Sequence, residues 1–160
     1  MIGIGIRVYS NKKVYYSIIE ETEDSYNYLS TSFFVVPLAM NEPERLNYVR
    51  NTIIDIINEY DVTRALVRVR ERLNNINNLA LERFYIEGVL LEAIAGSKVT
   101  KYKLGKISSI TSLLGIKRTD FKKLTNNELQ WDNLPETMDW GELSSEEREA
   151  ISSCLAALKL

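Results

Sequence analysis

Histidine is missing from this chain of 160 residues, and cysteine occurs once, as Cys154. The lack of histidine excludes Ser-His and Cys-His catalytic pairs, histidine general bases and histidine zinc sites. A single cysteine excludes an internal disulfide and a thiolate metal cage, and we expect it to pack as a small apolar side chain in a helix.

Long apolar runs are also missing, since none approaches the roughly 20 residues of a membrane span. The chain opens in strand-like sequence, without the basic segment and small-residue cleavage site of a signal peptide. Together with the single cysteine, these features predict a cytoplasmic protein with no membrane contact. A composition of 45% hydrophobic and 26% charged residues is typical of a globular protein, and the length suits a single domain spanning residues 1–160.

Apolar and β-branched residues predict three consecutive strands, at residues 1–7, 14–19 and 26–36. In the first strand, isoleucines alternate with Gly3, Gly5 and Arg7, so one face is buried and the other allows a second backbone to approach closely. Two further strands are predicted at residues 61–70 and 99–104. Helices are predicted at residues 41–60, 78–95, 106–114, 120–126 and 144–158, and residues 126–143 are predicted to be irregular.

This order of elements is that of the ribonuclease H-like fold, which is an α/β domain. Its mixed sheet begins with three antiparallel strands, and helices flank the sheet. Over nearly its whole length the chain resembles the RuvC-type Holliday junction resolvase family. Gly5-Ile6-Arg7 matches the Gly-Ile-Asp with which that family ends its first strand. In the last predicted helix, Glu146, Glu149, Ala150 and Ile151 match a family pattern of two carboxylates one turn apart, followed by alanine and an apolar residue.

The resemblance implies a degenerate nuclease site, with Arg7 at the lost aspartate position and Glu146 and Glu149 as remnants of the catalytic carboxylates. Such nucleases use carboxylates to hold two Mg²⁺ ions roughly 4 Å apart. A guanidinium stays charged and repels Mg²⁺ at close range, so we predict no metal at this site. The family's fourth strand ends in a catalytic glutamate, and the comparable positions here are Val67, Arg68 or Val69, depending on register.

An ion pair is predicted to fill the place of the metal. Arg7 would contact Glu149 or Glu146 and donate two hydrogen bonds to the helix carboxylates. The alternative is that Arg7 points into solvent and that both glutamates are surface residues of an amphipathic helix.

The basic and acidic residues are separated along the chain, although the net charge is only -2. Residues 98–123 hold eight basic side chains and one acid, a net charge of +7, whereas residues 128–149 hold eight acids and one arginine, a net charge of -7. One interpretation is that two solvated surfaces attract one another in the fold. The other, favoured by the resemblance, is a nucleic-acid-binding surface. The predicted binding residues are Arg68, Arg70, Lys101, Lys103, Lys106, Lys117, Arg118, Lys122 and Lys123.

Two further sets of residues leave alternatives open. Arg64, Arg68 and Arg70 share a strand face and could hold phosphates, or they could lie on the solvated side of an edge strand. Trp131 and Trp140 are expected to hold the irregular acidic segment against the body of the domain, with an exposed partner site as the alternative.

The sequence therefore favours a catalytically silent RuvC-like domain that binds nucleic acid, either branched or double-stranded DNA, or a partner protein. The first alternative is a Mg²⁺-dependent, structure-specific DNA endonuclease that uses Glu146 and Glu149 with an unusual third ligand. The second alternative is a non-catalytic assembly subunit. No cofactor is expected except Mg²⁺ in the endonuclease case. RuvC-type resolvases act as two-fold dimers, so the resemblance also implies a homodimer.

Overall fold

Over the part of the chain that the structure describes, five strands and five helices follow one another in the predicted order. The structure, a computed structural model, describes residues 1–71, 77–132, 134–135 and 138–160. The strands are β1 (Ile2–Tyr9), β2 (Lys13–Glu21), β3 (Tyr26–Val35), β4 (Arg64–Arg68) and β5 (Lys101–Gly105). The helices are α1 (Glu42–Glu59), α2 (Asn78–Ala95), α3 (Ile107–Leu114), α4 (Arg118–Thr125) and α5 (Ser145–Ala157).

The strands form one mixed sheet in the order β3-β2-β1-β4-β5, which places β1 at its centre. β1 pairs antiparallel with β2 and parallel with β4, and β2 pairs antiparallel with β3. The predicted α/β architecture, with three antiparallel strands first, is therefore confirmed. In this register Arg7 lies directly beside Arg68 on β4 and beside Tyr15 on β2.

Local sequence signals set the ends of the main helices. Asn41 caps α1 in a capping box with Glu44, and Ser144 caps α5 in the same way with Glu147. α3 ends at Gly115, whose φ of 67° is a left-handed conformation that glycine adopts without steric cost. Among the helices of the described residues, none is long and apolar enough to cross a lipid bilayer.

Apolar side chains on the two faces of the sheet form separate cores. On one face, α1 and α2 pack with the isoleucines of β1 and with Ala65 and Val67 of β4. On the other face, α5 lies against β1, β2 and β4, and α3 and α4 pack beside it around Leu66 and Phe121. Successive side chains of β4 thus enter opposite cores, as the alternating sequence of this strand predicts.

Two predicted features of the chain are corrected by this arrangement. β4 is shorter than the predicted strand and lies between β1 and β5, so the interpretation of Arg68 as a side chain on a solvated edge strand is wrong. Trp140 is only 2% exposed, which excludes it as an exposed partner site and agrees with a role in holding the irregular segment. Trp131 is half-buried against the same apolar cluster. Residues 133, 136 and 137 of that segment lie outside the described residues.

α5 packs on β1 at backbone distance because β1 carries glycines on that face. A Cβ atom added at Gly5 would lie 2.1 Å from the Ala150 carbonyl oxygen and 2.2 Å from the Cys154 nitrogen. The Cys154 thiol donates to the Gly3 carbonyl at 3.0 Å. Burial raises the pKa of this thiol, so Cys154 stays protonated and has the apolar packing role that the sequence predicts.

Gly5→Ala should destabilise the protein more than an ordinary core substitution, because the methyl group meets backbone atoms that cannot rotate away. We expect a loss of about 3 kcal/mol or more in the free energy of unfolding, measured by urea denaturation. Gly88→Ala is the matched control, since an added Cβ there meets nothing within 4 Å inside α2. It should stabilise by about 0.5–1 kcal/mol, and a Gly5→Ala variant as stable as the wild type would contradict this packing.

Candidate functional site

The candidate site lies where β1 and β4 end, beside the first turns of α2 and α5. Asn11, in the turn after β1, hydrogen-bonds Glu82 of α2, which brings the start of that helix to this end of the sheet. α5 runs back along β1 from Glu149, over Gly5, to Leu158 beside Gly3. The packing therefore fixes Glu149 above the neighbouring pair of Arg7 and Arg68.

Glu149 is shared by two guanidinium groups. Its Oε2 atom lies 2.6 Å from the Arg7 Nε atom and 3.4 Å from the Arg68 Nε atom. These side chains are 17%, 15% and 6% exposed for Glu149, Arg7 and Arg68, respectively. The contact predicted between Arg7 and a helix carboxylate is thus present, and the alternative of Arg7 extended into solvent is wrong.

The pairing differs from the prediction in its geometry and in its partners. Neither the Arg7 Nε atom nor the Glu149 Oε2 atom makes an aligned hydrogen bond, so the short contact is an ion pair and the predicted two hydrogen bonds are not formed. Arg7 donates through Nη1 to the Val8 carbonyl at 2.9 Å instead. Glu146 does not share in the pair: its carboxylate accepts from the Ser145 hydroxyl at 3.0 Å.

A second ion pair with little exposure lies within α2. Arg83 Nε donates to Glu87 Oε1 at 2.8 Å across one turn of α2, and these side chains are 11% and 6% exposed. Burial is the main cause that lowers the pKa of Arg83, and the charge of Arg7 lowers it further. Burial is also the main cause that lowers the pKa of Arg68, yet a guanidinium remains protonated in proteins.

Of the predicted nucleic-acid-binding residues, Arg68 alone belongs to this buried cluster, and Arg70 is exposed just beyond β4. The others are exposed on a separate part of the fold made by the edge strand β5 and by α3 and α4. Two of them contact other groups: Arg118 Nη2 lies 3.3 Å from Glu71 Oε2, and Lys101 Nζ donates to the Leu160 carbonyl at 2.5 Å. The exposed basic residues there are Lys101, Lys103, Lys106, Lys117, Arg118, Lys122 and Lys123.

Sequence reasoning missed the ion pair between Arg83 and Glu87. The available signal was an arginine and a glutamate four residues apart on a helix, with the glutamate among apolar residues such as Ile86 and Leu90. It also missed Arg148, which is buried and donates to the carbonyl oxygens of Thr125 and Trp140 at 2.6 and 3.2 Å. Arg148 thereby holds the irregular segment to α5 rather than contributing to the candidate site.

The residues at the ends of β1 and β4 are a poor fit to a magnesium site. Mg²⁺ takes oxygen ligands at about 2.0–2.1 Å in octahedral geometry, whereas both strands present arginines here and Glu149 is engaged by both of them. Within the described parts of the chain, no three aspartate, glutamate, cysteine or histidine side chains are grouped as a metal site requires.

The strand order, the glycine-lined helix contact and the position of this site define a ribonuclease H-like fold in its RuvC-like form. Solved structures of RuvC from Thermus thermophilus superpose on nearly the whole chain. One, in complex with a Holliday junction substrate, has a TM-score of 0.70 at 12% identity, covering 99% of this chain and 94% of that chain. A second has a TM-score of 0.71 at 13% identity with the same coverage of 99% and 94%.

The yeast mitochondrial Holliday junction resolvase Ydc2 is also similar. Its TM-score is 0.58 at 14% identity, and the match covers 98% of this chain and 75% of that chain. No protein-family model and no curated protein matches the chain. At these identities the similarity establishes the RuvC-like fold.

Removing Glu149 should cost more stability than removing Arg7, because one carboxylate serves two arginines. Glu149→Gln leaves both guanidinium groups mostly buried without an anion, and we expect a loss of about 3–5 kcal/mol. Arg7→Gln leaves Glu149 paired with Arg68 and removes a like charge, so we expect about 1 kcal/mol. Urea denaturation measures both values.

The control for this comparison is Arg50→Gln, whose ion pair with Glu92 has side chains 42% and 61% exposed. It should change stability by no more than about 0.5 kcal/mol. Equal costs for Glu149→Gln and Arg7→Gln, or the reverse order, would mean that Glu149 is not shared.

Proposed function

We propose that this chain is a catalytically silent RuvC-like domain that binds nucleic acid. The observation that carries the proposal is the arginine pair, Arg7 and Arg68, at the ends of β1 and β4. The resemblance to resolvases implies carboxylates at these two positions, and Arg68 is the residue of the fourth strand that lies level with Arg7 on the same face. Both substitutions change an anion that would hold Mg²⁺ into a cation that repels it.

The remaining carboxylate supports the same proposal. Glu149 lies within 3.4 Å of both guanidinium groups, so a metal ion would have to displace two cations before it reached this ligand. A two-metal mechanism needs a ligand shared between the ions to position the attacking water and the leaving oxygen. Neither Arg7 nor Arg68 can supply it.

Nucleic-acid binding is supported by the distribution of positive charge. Seven predicted basic residues are exposed on β5, α3 and α4, and Arg70 is exposed at the end of β4. The similar RuvC of T. thermophilus forms a complex with a Holliday junction substrate. Branched DNA is therefore the first substrate to test, and a partner protein is the outcome to consider if no nucleic acid binds.

A second candidate function is a Mg²⁺-dependent, structure-specific endonuclease. It is favoured by the placement of Glu146 and Glu149 one turn apart at the start of α5, beside the end of β1. In this case Mg²⁺ would act as the Lewis acid, and Glu146 and Glu149 would be its protein ligands with a third ligand from elsewhere. The Arg7 contact makes this candidate the weaker one.

Binding to a four-way DNA junction should weaken steeply as salt concentration rises, because basic side chains displace counterions from phosphates. Lys117→Glu combined with Lys122→Glu should lower the salt slope by about 2 in a fluorescence-polarisation titration. The control is Arg50→Glu combined with Lys159→Glu, which makes the same change in net charge on α1 and at the C-terminus. Equal losses in both variants, or no binding at low salt, would contradict the proposal.

A cleavage assay distinguishes the silent domain from the endonuclease. The purified protein should leave four-way junctions, flaps and RNA–DNA hybrids intact in either Mg²⁺ or Mn²⁺. Cleavage that is abolished by Glu146→Gln would establish the endonuclease instead, and this variant is informative because Glu146 lies outside the buried ion pair.

A further inference from the structure

We propose that the outer edge of β3 pairs antiparallel with the same edge of a second copy of this chain, so that the two sheets join. β3 is the outermost strand at one end of the sheet, and β5 is outermost at the other end. Over the described residues, the backbone of β3 is hydrogen-bonded to β2 and to no other strand. Its outer N–H and C=O groups are therefore available to a further strand. This pairing is independent of the nucleic-acid binding proposed above.

The two edges of the sheet differ in the features that prevent such pairing. Proteins protect an edge strand by keeping it short and by placing lysines on it. β5 has both features, since it is five residues long and includes Lys101 and Lys103. β3 is ten residues long and includes no charged residue and no proline. Because the same sheet protects one edge and leaves the longer edge unprotected, we infer that β3 is covered by another strand.

A β-bulge interrupts β3 near its start. The register with β2 shifts where Tyr28 and Ser30 pair with consecutive residues of β2, which leaves Leu29 as the extra residue. Bulges also protect edges, because they bend and twist the strand. Beyond the bulge, residues 30–35 pair with β2 without interruption. That stretch is as long as a typical strand, so a regular edge remains for pairing.

Exposed apolar side chains lie along the same edge. Leu29, Phe33 and Val35 are 42%, 41% and 54% exposed, respectively. Pairing with a second β3 would bring these side chains beside those of the other copy and remove part of their surface from water. An interface made by one strand from each copy belongs to the small, transient class. We therefore expect a dissociation constant on the order of 10–100 µM.

The charges at the two ends of β3 favour a second copy of the chain as the occupant. Glu23 and Asp24 lie in the turn just before β3 begins. At the other end, Lys13 pairs with Val35 in the sheet and Lys12 adjoins it. These four charged side chains form no ion pair among the described residues. The edge is thus acidic at one end and basic at the other.

An edge with this charge distribution is complementary to itself when the second strand runs in the opposite direction. A two-fold axis through the pair of strands produces that antiparallel arrangement, and it brings each acidic end toward the basic end of the other copy. A parallel arrangement would instead place like charges beside one another. The charges therefore select the antiparallel pair.

Sedimentation-velocity ultracentrifugation over a series of protein concentrations tests the self-association. The wild type should associate reversibly, and Leu29→Lys combined with Val35→Lys should weaken the association about tenfold or more, because lysines on an edge oppose strand pairing. The matched control is Tyr102→Lys combined with Leu104→Lys on β5, where the side chains are 48% and 44% exposed. It makes the same change in charge and should associate like the wild type. No association of the wild type, or a β3 variant that associates as strongly as the β5 variant, would overturn the proposal.

Oxidative cysteine crosslinking tests the strand pairing itself, and it remains informative if the lysine variants fold poorly. The native thiol of Cys154 is buried, so a thiol introduced on β3 is the accessible one. The single substitutions to oxidise are Ser30→Cys, Thr31→Cys, Ser32→Cys and Phe33→Cys, with Tyr102→Cys on β5 as the control.

Antiparallel pairing about a two-fold axis places one position of this series opposite the same position of the other copy. The yield of disulfide-linked dimer should therefore peak at that position, where the Cβ atoms are close enough for a disulfide. Equal yields at all four positions would indicate parallel or random contact, and yields no higher than that of Tyr102→Cys would indicate that β3 does not meet a second β3. Either result would overturn the proposal.

Discussion

The close contact between α5 and β1 determines the geometry of the candidate site. Gly5 allows the backbone of α5 to lie directly on the central strand, with the Ala150 carbonyl and the Cys154 amide at distances that no side chain on β1 would permit. Because α5 begins at the end of β1, this contact also fixes the height of Glu149 above Arg7. A larger residue at position 5 would separate the helix from the sheet and the carboxylate from both arginines.

Arginines occupy the ends of β1 and β4 in this RuvC-like fold. A carboxylate group holds divalent metal, and the metal in turn contacts a phosphate; a guanidinium group contacts a phosphate without an intermediary. Glu149 is the counter-ion of both Arg7 and Arg68. This account explains why one helix carboxylate is almost buried while Glu146, one turn earlier, is turned toward Ser145.

The fold was predictable because the sequence signals for its strands and helices are local and agree with one another. Alternating isoleucines and glycines gave β1, and the capping box at Asn41 gave the start of α1. The contact of Arg7 with a helix carboxylate followed from the resemblance to resolvases, but the choice of Glu149 and the sharing with Arg68 depend on strand register, which one sequence does not fix. The burial of Arg83 and Glu87 depends on how α2 packs against the sheet, which one sequence does not fix either.

The central claim is that two arginines hold Glu149 and exclude Mg²⁺ from it. Nuclear magnetic resonance of the arginine Nε–H groups, recorded while magnesium chloride replaces sodium chloride at constant ionic strength, tests this directly. The account predicts that the Arg7 and Arg68 signals, assigned by substitution, stay in place throughout the titration. Saturable movement of both signals would show that Mg²⁺ takes Glu149 from the arginines, and that result would contradict the account.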